Sequence, residues 1–143
     1  MPEFIATISA GIWSGSCLYI SIVEHPAVKR VGLQFAISFF RPMSIRAAPM
    51  MIILALIGAV SSAYAWFSGS GIQWLIGALL LVSMFPLTAV FIVPTNRALL
   101  KVDAAKTPQE AMMLLSRWGR WHAVRTLLGS LSFIVFIFAL TLN

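Results

Sequence analysis

Charge is what this chain has least of. Only 10% of its 143 residues are Asp, Glu, Lys or Arg, against 60% hydrophobic, and the mean hydropathy is +0.95. A water-soluble domain of this size exposes more surface than so few charges can cover, so the composition describes a single-domain integral membrane protein. Acidic residues number four against ten Lys/Arg, a formal net charge of +6. No Lys/Arg run or nucleic-acid module accompanies that charge, which leaves no case for a nucleic-acid partner. The single cysteine, Cys17, lies in an apolar run, so no intramolecular disulfide can form. No glycine loop is built to cradle a phosphate. No acidic residue stands where it would orient a histidine for Ser/His/Asp catalysis, and no close His–His pair supplies metal-ligand spacing.

Four long apolar runs are present instead, at about residues 4–23, 47–67, 72–93 and 123–142, each long enough to cross a hydrocarbon core. The first starts with Glu3 rather than a basic region and lacks a small-residue cleavage site, so it reads as a retained span and not a signal peptide. Along it Ser14, Cys17, Ser21 and Glu24/His25 recur at spacings of three and four, one helical face that should turn toward the bundle. Pro26 is expected to stop this helix, because it disfavours a helical residue before it and has no N–H to donate. Residues 27–46 carry Lys29, Arg30, Arg41 and Arg46 around Phe35, Phe39 and Phe40, the pattern of a short amphipathic element in the interface. The third run contains Pro86, where a kink is expected, and should close at Pro94-Thr95-Asn96-Arg97. Trp66 and Trp74 flank the Ser68-Gly69-Ser70-Gly71 turn as interfacial anchors.

Residues 96–125 form the longest polar stretch and hold six of the ten basic residues, one of two histidines and two of five tryptophans. Thr107-Pro108-Gln109-Glu110 reads as a helix start, with Thr as N-cap, Pro at the first helical position and Glu three residues after the cap. The helix so opened is a short amphipathic interfacial helix that continues through Trp118 to His122 and merges with the last span. The expected architecture is therefore all-α, a membrane four-helix bundle. Every Lys and Arg falls in the segments joining spans one to two and three to four, or within a turn of their ends. The positive-inside rule then puts both basic segments in the cytoplasm and both termini on the other side.

With four spans, Glu24, His25, Arg41, Asn96, Trp118, Trp121, His122 and Arg125 meet at one membrane face. Trp118, His122 and Arg125, spaced four and three, share one helical face. Arg125 lies a turn inside the last run and is expected to snorkel or to pair with Glu24. The tryptophans also suit an interfacial belt, the basic residues suit topology and headgroup contacts, and a Glu24–Arg125 pair suits a structural role. The two histidines supply no hydropathy or topology signal. As acid and base they titrate near neutral pH. As ligands they could hold a metal together with Glu24, or a haem between helices, although the sequence requires neither cofactor.

The first span ending in Glu24-His25-Pro26, Pro94-Thr95-Asn96-Arg97 closing the third, and Trp118 with His122 and Arg125 opening the fourth together resemble the DUF1772 group of small four-helix membrane proteins, which includes the anthrone oxygenases of aromatic polyketide pathways. The resemblance covers nearly the whole chain. It implies oxidation of an anthrone to an anthraquinone with molecular oxygen, and so a hydrophobic aromatic small molecule as partner beside the lipid bilayer. An anthrone methylene lies between two aromatic rings, and its carbanion can react with oxygen without a metal. A site for it needs a base (His25 or His122), an oxyanion stabiliser (Arg125 or Asn96) and an aromatic wall (Trp118, Trp121 and Phe40, with Arg41 beside it). Two other classes stay open: a non-enzymatic accessory or lipid-binding protein, and a His-ligated metal or haem protein.

Overall fold

The computed structural model describes residues 1–142, and nearly all of them are helical. Four long helices carry the chain up and down: α1 Pro2–Val31, α2 Leu33–Phe67, α3 Ile72–Leu99 and α4 Pro108–Leu142. Each is long and apolar enough to cross a membrane, which makes this a multi-pass integral membrane protein. Sequential helices pack as neighbours and α1 closes the ring against α4, whereas α2 and α4 barely touch across the diagonal. The arrangement is an up-down-up-down four-helix bundle.

Proline does not end α1 or α3 as expected. In both helices the turn before the proline widens to a π-helical turn, Ile20–Glu24 ahead of Pro26 and Thr88–Ile92 ahead of Pro94. The N–H of His25 reaches the carbonyl of Ile20, five residues back, and that of Val93 reaches Thr88 in the same way. The wider turn relieves the clash between a proline ring and the preceding turn, so the helix continues. α1 stops instead at Gly32, whose φ of 143° is open to glycine and few other residues. The expected interfacial element before residue 47 is the first part of α2, which runs unbroken through Pro42 and Pro49.

The other ends follow local chemistry more closely. At the end of α2 the N–H of Gly69 bonds Trp66 O at 3.0 Å and that of Ser70 bonds Ala65 O at 3.0 Å, with Gly69 at φ 90°. This pair of bonds is a Schellman cap. The Ser70 hydroxyl donates to Glu3 at 2.7 Å, tying the start of α1 to this turn. Pro108 opens α4 and the carbonyl of Thr107 accepts from Ala111 N–H at 3.1 Å. The Thr107 hydroxyl, expected to cap that helix, instead donates back to the carbonyl of Asp103 at 3.0 Å.

Small residues let the helices approach. A Cβ on Gly77 would run into the Phe136 ring, and one on Gly129 into the Trp13 indole. Trp74, expected in the interface, is fully buried and stacks on Phe136 with centroids 5.2 Å apart. Hydroxyls join helices where lipid offers no partner: Ser14 to Ser130 at 2.9 Å, Ser21 to Thr126 at 2.9 Å, and Ser132 to the carbonyl of Gly77 at 2.9 Å. Gly77→Ala and Gly129→Ala should each destabilise the bundle by about 1–3 kcal/mol through overpacking. Thermal unfolding in detergent checks this, and an unchanged Tm for both variants would refute the close-packing account.

Candidate active site

Trp118, His122 and Arg125 do share one face of α4, and that face turns into the bundle. Trp118 and His122 are 5% and 1% exposed. The Trp118 indole is the hub of a ring cluster. His122 stacks parallel to it at 4.7 Å between centroids, His25 meets it tilted at 5.3 Å, and Phe40 packs edge-on at 5.5 Å. His25 fits because position 119 is glycine: a Cβ there would lie 2.6 Å from His25 Nε2. Both histidines therefore sit against one indole.

The expected Glu24–Arg125 pair does not form, since neither residue belongs to an ion pair among the described residues. The π turn supplies the reason. One extra residue per turn rotates the next stretch of chain by about 100° relative to a regular helix, so Glu24 leaves the inward face of Ser14, Cys17 and Ser21 and His25 takes its place. Glu24 lines an outer groove with Tyr19, Phe39 and Arg46. Arg125 finds other partners. Its Nη2 lies 2.8 Å from His122 Nδ1, and its guanidinium carbon sits 5.7 Å from the centre of the Trp13 ring. A guanidinium only donates, so Nδ1 must accept and the imidazole hydrogen resides on Nε2. The Trp13 face supplies a cation–π contact. Trp13 is itself fixed by its Nε1–H, which donates to the carbonyl of Met51 at 3.0 Å.

A cavity of about 270 Å³ lies beside this group. Most of its wall comes from α2 and α3, including Met51, Ala55, Met84 and Ile92, with Trp13 and Ile20 from α1 and Trp118 and Arg125 from α4. Three of its lining residues, Asn96, Trp118 and Arg125, each hold a buried polar atom without a hydrogen-bond partner: Oδ1, Nε1 and Nε. Buried polar groups are normally paired, and an unpaired one is costly. An apolar cavity with a few convergent polar groups has the character of a small-molecule site.

The remaining candidates lie elsewhere. His25, Glu24 and Phe40 line a separate space of about 20 Å³ on another side of Trp118, room for a water at most. Trp121 stacks on Phe91, 3.8 Å between centroids. Arg41 is exposed and lines neither space. His25, His122 and Glu24 do not converge as a ligand set, and no three His, Cys, Asp or Glu do so among the described residues. Sequence reasoning missed Trp13 and the methionine wall. The signal for Trp13 was its place in mid-span, well away from either interface where a membrane tryptophan usually sits.

A family model described as anthrone oxygenase matches residues 37–135. The anthrone oxygenase tpcL of Aspergillus fumigatus is 33% identical over 137 residues, covering 89% of this chain and 85% of that protein. The chain belongs to the anthrone oxygenase family. No solved structure matches it. Asn96, Trp118, His122 and Arg125 all fall inside the segment that the anthrone oxygenase model covers, while Glu24 and His25 precede it.

Arg125 separates a structural from a functional reading of this candidate site. A buried charge without an acidic partner costs stability, and an apolar replacement of similar size often relieves that cost. Arg125→Met should melt no lower than the wild type in detergent. A large drop in Tm would make Arg125 a structural strut.

Proposed function

We propose that this protein oxidises an anthrone-type polycyclic aromatic to a quinone with O2, within the cavity between α2 and α3. The supporting observation is the cavity itself, apolar in most of its wall, with Asn96, Trp118 and Arg125 among its lining residues, each holding a buried polar atom that lacks a partner. Loss of the methylene proton moves negative charge onto the ketone oxygen across the ring. Arg125 and the Trp118 N–H donate to that oxygen, while Asn96 Oδ1 accepts from a ring hydroxyl. The carbanion then adds O2 at the former methylene carbon, and the hydroperoxide loses water. One oxygen atom ends in the quinone and the other in water, and no protein group changes oxidation state.

In this reading His122 acts through Arg125, holding the guanidinium with Nδ1. His25 lines the separate water-sized space on another side of Trp118, out of reach of a ring in this cavity, so the methylene proton leaves to water in the cavity as the donors stabilise the enolate. The basic segments at this end of the bundle support, by the positive-inside rule, a site near the cytoplasmic face with both termini on the opposite side. The residue roles divide the expected kinetics. Anthrone-dependent O2 consumption in nanodiscs should fall about 10²–10³-fold for Arg125→Met, the scale of a lost oxyanion donor. His122→Asn, which keeps an acceptor near Nδ1, should retain more activity than His122→Phe. His25→Ala, which removes no group from the cavity wall, should stay within a few-fold of the wild type. Full turnover by Arg125→Met would end the oxyanion assignment, and loss of turnover in a folded His25→Ala would end the assignment of proton removal to water.

A further inference from the structure

The cavity has a side opening, and the opening faces lipid. Its lining includes Ala48 and Ile52 on α2 and Ala89 on α3, all exposed on the outer surface of the bundle. α2 packs extensively on the first part of α3, Ile72–Leu87, but has no comparable packing on Thr88–Leu99. The two helices part at this level. The parting has causes in both helices. Pro49 directly follows Ala48, and Pro86 precedes the π turn that contains Ala89. Each proline leaves a carbonyl one turn back, Ile45 or Val82, with no N–H to accept from along the helix, and this is where a helix loosens most easily. Small side chains at 48 and 89 then leave the gap unfilled. Trp118 and Arg125, each with an unpaired donor, contribute the α4 side of the cavity.

We infer that the cavity is loaded and emptied through this gap, from the hydrocarbon layer, by a planar apolar aromatic ketone dissolved in lipid. Ala48 and Ala89 are the residues that set its width. The ligand class rests on the oxygenase reading above, whereas the route rests on the helix geometry alone. A molecule of several fused rings partitions into the bilayer, so a lateral entry spares it a passage through the charged segments at the helix ends. The helix-end side of the same cavity, marked by Ser44 and Asn96, is the competing route.

Route is a kinetic property, and rates distinguish the two openings. Anthraquinone has no oxidisable methylene and serves as a probe that quenches the tryptophans lining the cavity, Trp13 and Trp118. Proteoliposomes mixed with anthraquinone-loaded vesicles report loading by stopped-flow fluorescence. Ala48→Phe/Ala89→Phe should slow the quenching about tenfold or more with the final level little changed, because a narrowed passage lowers entry and exit rates together. Ser44→Phe should load at the wild-type rate. Ala48→Cys, labelled after folding with a bulky lipid-soluble maleimide, repeats the block in case the double variant fails to fold; Cys17 is buried. Unslowed loading in both blocked proteins overturns the lateral route, as does slowing by Ser44→Phe alone, or no quenching in the wild type. Slowed loading with no turnover of an anthrone keeps the route and removes the oxygenase. Normal loading in blocked protein that still turns over anthrone does the reverse.

Discussion

A permanent cation inside an apolar bundle is the constraint on which the site depends. Arg125 lies within a helix whose surroundings are lipid and hydrocarbon side chains, and a guanidinium there must be surrounded by something polar or polarisable. The bundle answers with an imidazole nitrogen, 2.8 Å away, and an indole face. Neither carries a formal negative charge. An acidic partner would have satisfied the guanidinium fully and neutralised its field. These two partners hold it in place without neutralising it, leave its Nε–H unpaired, and keep the residue on the cavity wall. The same choice fixes His122, whose Nδ1 is committed to accepting, and Trp13, whose far edge is anchored on Met51. Gly129 belongs to this group as well, because only a residue without a side chain lets α4 settle against Trp13.

The second constraint is proline in lipid. In water a freed carbonyl finds solvent, but in a bilayer it must be absorbed by the helix or the bundle. Here the π turns before Pro26 and Pro94 absorb it, and both occur at the same end of the bundle, on alternate helices. Their effect on side-chain direction is larger than their effect on the backbone. One turn hands the inward position from Glu24 to His25. The other puts Thr88, Ala89 and Ile92 on the cavity wall with Asn96 a turn beyond. The site is thus shaped by backbone departures from α-geometry more than by loops.

Much of this was legible in the residues. Low charge and four apolar runs give the class and the four helices. Spacings of four and three put Trp118, His122 and Arg125 together, and the alternation of spans brings His25 and Asn96 to their end. What was not legible has a common origin, because regular 3.6-residue periodicity carries no information about where a helix departs from it. The stop assigned to Pro26, the closure at Pro94 and the Glu24–Arg125 pair all assume ordinary α-helix up to a proline that breaks it. Trp74 failed for a different reason. A tryptophan next to a turn usually faces the interface, and only the tertiary partner Phe136, with Gly77 opposite it, draws this one into the core. Arg41 and Trp121 share the right depth with the site, but depth fixes one coordinate out of three, and their helices turn them elsewhere.

The distribution of unsatisfied atoms argues for a ligand more strongly than the cavity volume does. Empty apolar cavities are tolerated in bundles, and a void lined by methionine and alanine alone would need no occupant. Polar atoms buried without partners are not tolerated in the same way, since each forfeits hydrogen bonds that it had in water. Among the described residues five buried side-chain atoms lack a partner; Trp74 and His122 hold two of them off the cavity, whereas the other three belong to Asn96, Trp118 and Arg125, from two helices far apart in sequence, which all line one cavity. A fold stabilised for its own sake would have paired the Asn96 carbonyl oxygen with the Trp118 or Arg125 N–H, or replaced all three with hydrocarbon. Leaving acceptor and donors unpaired at one cavity costs stability, and a flat molecule carrying both a hydroxyl and a ketone oxygen would recover that cost by bonding to both kinds of group.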